Sequence, residues 1–228
     1  MPKFFVNTAD IQNNMIKITN EDVKHISNVL RSNIGDKLHI GNQENGKNYE
    51  AEIISIKRDE VSLKILNEYE SEAEPKIYIN ILQGLPKADK MEFVIQKSIE
   101  IGVKEITPLI MERCIVRLNA KEELKKNERW KKIASSAAKQ SGRDIIPIIN
   151  NCIKIEEIKY KLKEYDYIIV AYENERKNML KNELLKIKRE CLNKDTLKIA
   201  IIIGPEGGIS EEEISYLKNI NARIISLR

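Results

Sequence analysis

Long apolar runs, paired cysteines, histidines and nucleotide fingerprints are all scarce or missing in this chain. No apolar stretch in the 228 residues approaches the roughly 20 needed to span a membrane, and the opening MPKFFVNTADIQ lacks the apolar core of a signal peptide. The expected location is therefore the cytoplasm. Cys114, Cys152 and Cys191 are an odd set with no close pairing, which suits a reducing compartment and argues against a disulfide framework. His25 and His39 are the only imidazoles, so no metal site is expected. Neither G-x-G-x-x-G nor G-x-x-x-x-G-K-[ST] occurs, which disfavours a Rossmann dinucleotide enzyme and a P-loop NTPase. Both histidines precede the α/β part of the chain, so no Ser or Cys nucleophile there has a histidine base.

What is present centres on residues 198–217, KIAIIIGPEGGISEEEISYL. An apolar run leads into Gly204-Pro205-Glu206-Gly207-Gly208, and Ser210 with Glu213 has capping-box spacing. The pattern predicts strand, loop and helix, with the glycines allowing a ligand to approach the main chain. Taken alone, such a loop is as often a plain turn as a ligand site. Hydrophobic content of 42% and charged content of 32% fit an ordinary folded protein. The net charge of +4 is unevenly placed: residues 1–71 carry 9 basic and 11 acidic side chains, residues 75–145 carry 15 and 9. A basic middle is a footprint of phosphate binding, although many surface lysines are merely solvated.

In chain order, runs at 3–6, 15–18, 37–40, 49–55 and 61–65, separated by turn signals, predict a small β barrel. A helix over 21–30 interrupts them, with Val23, Ile26, Val29 and Leu30 on its apolar face. His25 near that face reads as packed or half-exposed rather than catalytic. Arg31 follows, able to touch a phosphate or to favour the helix C-terminus. The acidic stretch 67–75, closed by Pro75, marks a boundary between domains 1–71 and 72–228. Beyond it the order is strand 77–82, helix 89–101 capped by Asp89 with a stripe of Val94, Ile95, Ile99 and Ile101, and strand 105–110. A long helix over 121–141 carries Trp130 as a packing anchor. Strand 145–149, helix 155–163, strand 167–171 and helix 177–191 then lead to the glycine-bearing stretch. This β-α-β order predicts a parallel α/β sheet, whose ligands bind beyond strand carboxyl ends. The residues by themselves reach a ligand-binding α/β domain with a basic flank, joined to a small barrel, and no reaction.

Several motifs also occur together in one order: Pro2-Lys3-Phe4-Phe5-Val6; His25 to Arg31 as HISNVLR; 83–92 as QGLPKADKME; 96–103 as QKSIEIGV; Pro108-Leu109 with Glu112-Arg113; 137–143 as AAKQSGR; and Ile203 through Gly208. In this the chain resembles the RsmE family of ribosomal RNA uridine N3-methyltransferases, of the SPOUT class, along almost its whole length. The resemblance implies a PUA-like β barrel that helps hold RNA, followed by a SPOUT-type α/β domain with a trefoil knot. It implies a homodimer using S-adenosylmethionine to methylate N3 of a uridine in the 16S ribosomal RNA of the small subunit. The cofactor loops would be Ala171, Tyr172 and Glu173; Ile203, Gly204, Pro205, Glu206, Gly207 and Gly208; and Ser226 with Leu227. Glu206 could orient the cofactor, cap the next helix or simply be solvated.

Uridine N3 must be exposed and deprotonated before methyl transfer, and a cation near the uracil oxygens would stabilise the developing charge. Arg143 is the candidate for that catalytic role or for phosphate binding. Arg31, Lys87, Lys90, Arg113 and Lys139 are the other expected RNA contacts; no general base stands out. Two departures from the family pattern bear on these roles: Ser136 stands where the family often has glutamate, and a further Leu-Gly-x-Arg-Ile-Leu-Arg-Thr-Glu-Thr-Ala segment is absent after Arg228, so a shortened chain is expected. A SPOUT enzyme with another target atom, or an RNA-binding module without catalysis, are the alternatives.

Overall fold

The computed structural model describes residues 3–19, 21–70, 73–191, 194 and 196–227. Pro2, the 71/72 boundary and Arg228 lie outside the described residues. Contacts within the chain separate two units: Met1–Glu74 with Ser135–Ile146, and Pro75–Ala134 with Pro147–Arg228.

In the first unit the alternating runs become β1 (Lys3–Val6), β2 (Ile11–Gln12), β3 (Met15–Ile18), β4 (Lys37–Asn42), β5 (Asn48–Ile56) and β6 (Val61–Tyr69), with α1 (Asp22–Lys24) between β3 and β4. They form one sheet in the order β1-β4-β5-β6-β3-β2, antiparallel except where β1 meets β4. Each strand from β1 and β3 through β6 sends its apolar face into one core, with Phe4, Ile16, Ile18, Ile40, Ile53 and Leu63 among the residues buried there. Such convergence requires a curled sheet. The strand β6 runs through Tyr69, so the expected acidic linker begins as ladder.

The helix predicted over 21–30 is different in kind. After α1 it widens into a π-helical turn, His25–Val29, closed by the Leu30 amide on the His25 carbonyl at 2.9 Å. The extra residue per turn rotates later side chains off the apolar stripe. Val29 is consequently 67% exposed, and His25 is exposed too, its ring edge-on to Phe4 at 5.8 Å.

The second unit is built on β7 (Ile77–Gly84), α2 (Lys90–Glu100), β8 (Glu105–Ile110), α3 (Ala120–Gln140), β9 (Ile148–Ile149), β10 (Ile153–Lys154), α4 (Ile158–Lys161), β11 (Tyr167–Ala171), α5 (Leu180–Glu190), β12 (Leu197–Ile203), α6 (Glu211–Asn219) and β13 (Arg223–Ile225). The last residues of α3 group with the first unit. All strand pairs are parallel, in the order β10-β8-β7-β12-β11-β13, with β9 beside β8. The apolar run of β12 lies between β7 and β11, which is why it reads as continuous rather than alternating. From β11 the chain steps inward to β12 and then back across β11 to β13. The carboxyl ends of these strands are thus where the winding reverses, the place where open α/β sheets leave a crevice.

Several predicted elements are shorter than expected, each for a visible reason. Asp89 occupies the N-cap of α2 without a side-chain cap bond, because its φ of −92° and ψ of 11° depart from the extended cap geometry. Ile101 falls past the last turn of α2 and is 80% exposed, while Met91, Ile95 and Ile99 form the buried stripe. Strand 145–149 shrinks to β9, the Asp144 amide before it being held by the Glu74 carboxylate at 3.0 Å instead of a ladder. Helix 155–163 is a short α4 between two 3-10 turns. Helix 177–191 starts only at Leu180, because the Lys177 and Asn178 amides donate to Glu175 Oε1 at 2.6 and 3.1 Å. Trp130 is buried, as its spacing on α3 implied. Among the described residues, no helix is long and apolar enough to cross a membrane and no cluster of His, Cys, Asp and Glu is placed to hold a metal.

Candidate functional site

The site begins with the capping box. Ser210 Oγ accepts from the Glu213 amide at 3.3 Å and Glu213 Oε2 accepts from the Ser210 amide at 3.0 Å, fixing the start of α6. Glu213 does more than cap: its other oxygen accepts from the Glu112 amide at 2.8 Å, tying the turn after β8 to α6. Between the rigid end of β12 and this cap, residues 204–208 form a short loop closed by the Gly208 amide on the Pro205 carbonyl at 2.9 Å. From β7, buried Gln83 donates through Nε2 to the Gly204 carbonyl at 3.2 Å. Gly84 lets that strand touch the loop: a Cβ there would sit 2.6 Å from Pro205 Cδ and 2.7 Å from Pro205 N.

The third wall comes from the chain's last strand. The Tyr172 amide donates to the Ile225 carbonyl at 3.0 Å, and Ser226 exchanges backbone bonds with Asn178 and Leu180 at 2.8 and 3.0 Å. The result is a cavity of about 420 Å³ at the carboxyl ends of β11, β12 and β13. All eleven residues expected at the cofactor, 171–173, 203–208 and 226–227, line it. Its volume is in the range of small-ligand sites, about 300–1,000 Å³. Among the described residues, two carboxylates and no cation are found in its lining side chains.

Glu206 neither caps α6 nor stands free. Its carboxylate accepts from the Lys87 amide at 3.1 and 3.3 Å and from Lys90 Nζ at 2.7 Å, clasping the loop before α2 to the cavity loop. Hydrogen bonding from Lys90 first, with backbone amides next, lowers its pKa to about 2. Because the folded value lies below the ordinary 4.5, this clasp contributes fully above about pH 4.5 and is lost as the pH falls through about 2. The Lys87 amide resonance should accordingly titrate with a midpoint near 2; a midpoint near 4.5 would mean the contact is not formed in solution. Glu173 sits across the cavity, accepting from the Ile209 amide at 3.3 Å over Gly208, whose φ is +76°. Arg113, exposed on the turn after β8, donates to the Gly207 carbonyl at 3.2 Å and lies 3.9 Å from Glu173.

The matches with known proteins bear on this arrangement directly. A model described as RNA methyltransferase domain matches residues 73–228, and one described as RNA methyltransferase PUA domain matches 18–66. Ribosomal RNA small subunit methyltransferase E of Bacillus subtilis (strain 168) is 35% identical over 200 residues, spanning 88% of this chain and 77% of that protein. The chain belongs to this methyltransferase E family. The protein of the same name from Neisseria gonorrhoeae, crystallised bound to S-adenosyl methionine, superposes with a TM-score of 0.82 at 27% identity, covering all of this chain and 89% of that one. The fold is accordingly the SPOUT-type α/β domain preceded by a PUA-like β unit.

Within the methyltransferase E frame, the expected RNA contacts divide between the units. Lys87, Lys90 and Arg113 are exposed around the cavity loops of the second unit. In the first, Arg31 is exposed with φ of +54°, while half-buried Lys139 pairs with Asp22 and lies 5.7 Å from the Phe4 ring. Arg143, the candidate for stabilising charge on the uracil, belongs to the first unit. It is only 3% exposed and forms a two-pronged pair with Glu74, Nε to Oε1 at 2.8 Å and Nη2 to Oε2 at 2.7 Å. A guanidinium committed in this way holds the first unit together, next to the buried Lys3 and Asp144 pair. Glu74 was the residue that spacing alone missed. Gln83 was signalled by its place at the end of the β7 run; the Glu74 pair, 69 residues apart, left no local trace.

Proposed function

We propose that the protein transfers a methyl group from S-adenosylmethionine to N3 of a uridine in the 16S ribosomal RNA of the small subunit. The observation that carries this reading is the single cavity lined by all three loops at the carboxyl ends of β11, β12 and β13, in a chain of the methyltransferase E family. The residues present fit the cofactor. Close-packed glycines leave main-chain groups open for an adenine, and the two carboxylates suit a cationic ligand. When bound, S-adenosylmethionine supplies an electrophilic methyl group on a sulfonium.

The chain's own part is to bind, align and screen. Main-chain groups of residues 203–208 and 171–173 hold the donor, and alignment with an exposed uracil provides much of the rate through proximity. With Arg143 buried against Glu74, the charge developing on the uracil oxygens falls to the exposed group Lys87, Lys90 and Arg113. Phosphate contacts from the same cations and from Arg31 position the RNA without reading its sequence. We include in the reading a division near residue 72 into RNA-holding and methyl-transferring domains, a homodimer, a trefoil knot, and action in the cytoplasm.

Incubation with labelled S-adenosylmethionine and undermethylated small subunits, followed by digestion to nucleosides, is expected to place the label in 3-methyluridine. Label in a different nucleoside would overturn the N3 assignment, and absence of both label and cofactor binding in calorimetry would overturn methyl transfer itself.

A further inference from the structure

Donor and product of the proposed reaction differ by one charge. S-adenosylmethionine carries a sulfonium; after methyl loss, S-adenosylhomocysteine has a neutral thioether and is otherwise the same molecule. A site that discriminates between them must sense charge at the sulfur or the methyl itself.

The cavity is arranged to sense charge. Glu173 and Glu206 line it and, among the described residues, no Lys or Arg does. Their balancing cations reach them from other segments: Lys90 on α2 meets Glu206 at 2.7 Å, and Arg113 stands 3.9 Å from Glu173. The two pairs are unequal. Glu206 is satisfied by a close ammonium and by the Lys87 amide, whereas Glu173 has a distant guanidinium and one backbone amide. A carboxylate with a weak local counter-charge exerts the larger net field on a nearby ligand.

Resting on the cofactor reading above, we propose that Glu173, assisted by Glu206, is a specificity-determining residue that makes the cavity prefer the sulfonium donor over the thioether product. Lys90 and Arg113 set the strength of that preference. They are also the cations that RNA phosphates would draw away, so bound RNA leaves the two carboxylates less compensated and sharpens the selection. Binding linkage then requires the sulfonium form to favour RNA in return. Product, lacking the charge, loses that support and leaves more readily.

The test is the ratio of the Kd for S-adenosylhomocysteine to the Kd for S-adenosylmethionine, measured by calorimetry on the whole protein. Wild type should show a ratio above 1, Glu173→Gln should lower it by about fivefold and Glu206→Gln by about twofold, magnitudes expected for partly screened charges. Lys90→Gln and Arg113→Gln should raise the ratio, and this opposite sign is a readout that loss of packing does not produce. Adding a small-subunit ribosomal RNA fragment to wild type should raise it as well. If both compounds bind and the ratio is the same in wild type and all four variants, charge selection is overturned while the cofactor site stands. If neither compound binds wild type, the cofactor reading falls, and the selection with it.

Discussion

Replacing Gly84 by alanine is expected to weaken S-adenosylmethionine binding by at least about tenfold and to cost about 2 kcal/mol of stability, as overpacking at a tight site does. The added Cβ would lie 2.6 Å from Pro205 Cδ, 2.7 Å from Pro205 N and 2.9 Å from Met111 Sδ. Two of these atoms belong to the loop that walls the cavity, and one is backbone, so no rotamer change relieves the contact. Gly84 is itself in β7, bonded into the sheet between β8 and β12, and cannot retreat. The loop must move instead, breaking the Gln83 contact to the Gly204 carbonyl and disturbing the Glu206 clasp. Gly208→Ala is a useful contrast. There the obstacle is the far end of the Glu173 side chain, which can swing away, and the residual cost is that of a Cβ at φ of +76°. Calorimetric titration of both variants checks the order: Gly84→Ala should lose more affinity, and equal affinity for wild type and Gly84→Ala would show that β7 does not support the cavity.

The second large effect is expected at the opposite ends of the strands. Glu105, 6% exposed at the start of β8, accepts from Tyr165 and Tyr78 hydroxyls at 2.6 and 3.0 Å, from Asn150 Nδ2 at 2.6 Å and from Lys161 Nζ at 2.7 Å. The network continues through Asn80 and Thr107. Burial pushes the Glu105 carboxyl up, but hydrogen bonds from Lys161, Tyr165 and Asn150 outweigh it and hold the group below its ordinary value. Burial first, and then the carboxylate it bonds to, push the Tyr165 hydroxyl up. Glu105→Ala would strand four donors, costing about 3 kcal/mol and lowering the Tm by roughly 6–12 °C. Part of that cost is discounted because Lys161 remains partly in solvent. Tyr165→Phe removes one hydroxyl and should cost only about 1 kcal/mol. Since the folded carboxyl is depressed, its stabilisation is present above the ordinary glutamate pKa and fades below it. Thermal melts of wild type and Glu105→Ala should therefore converge as the pH falls; a constant gap would mean the ionised carboxylate is not the stabilising form.

How much of this was readable in advance depends on the separation of the partners. The start of α6 was legible because Ser210 and Glu213 are three residues apart and satisfy each other. Strands β8 and β11 were legible to the residue, being apolar runs bounded by polar turns. The π-turn at His25–Val29 was not, since a helical repeat of 3.6 carries no signal for one widened turn. Nor could the fate of Arg143 be read. Its motif suggested a working cation, and the partner that buries it lies at Glu74.

By itself, then, the sequence determined the local elements and the α/β class, because backbone propensity, capping and apolar periodicity all act over a few residues, while the eleven loop positions that line the cavity followed from the family motifs. The tertiary structure alone decided which charges are spent on holding the chain and which remain at the cavity. Arg143 meets Glu74, Glu105 meets Tyr165, and Lys90 meets Glu206 across 69, 60 and 116 positions. Pairings of that reach are set by the order of strands in the sheet, which no short-range pattern encodes.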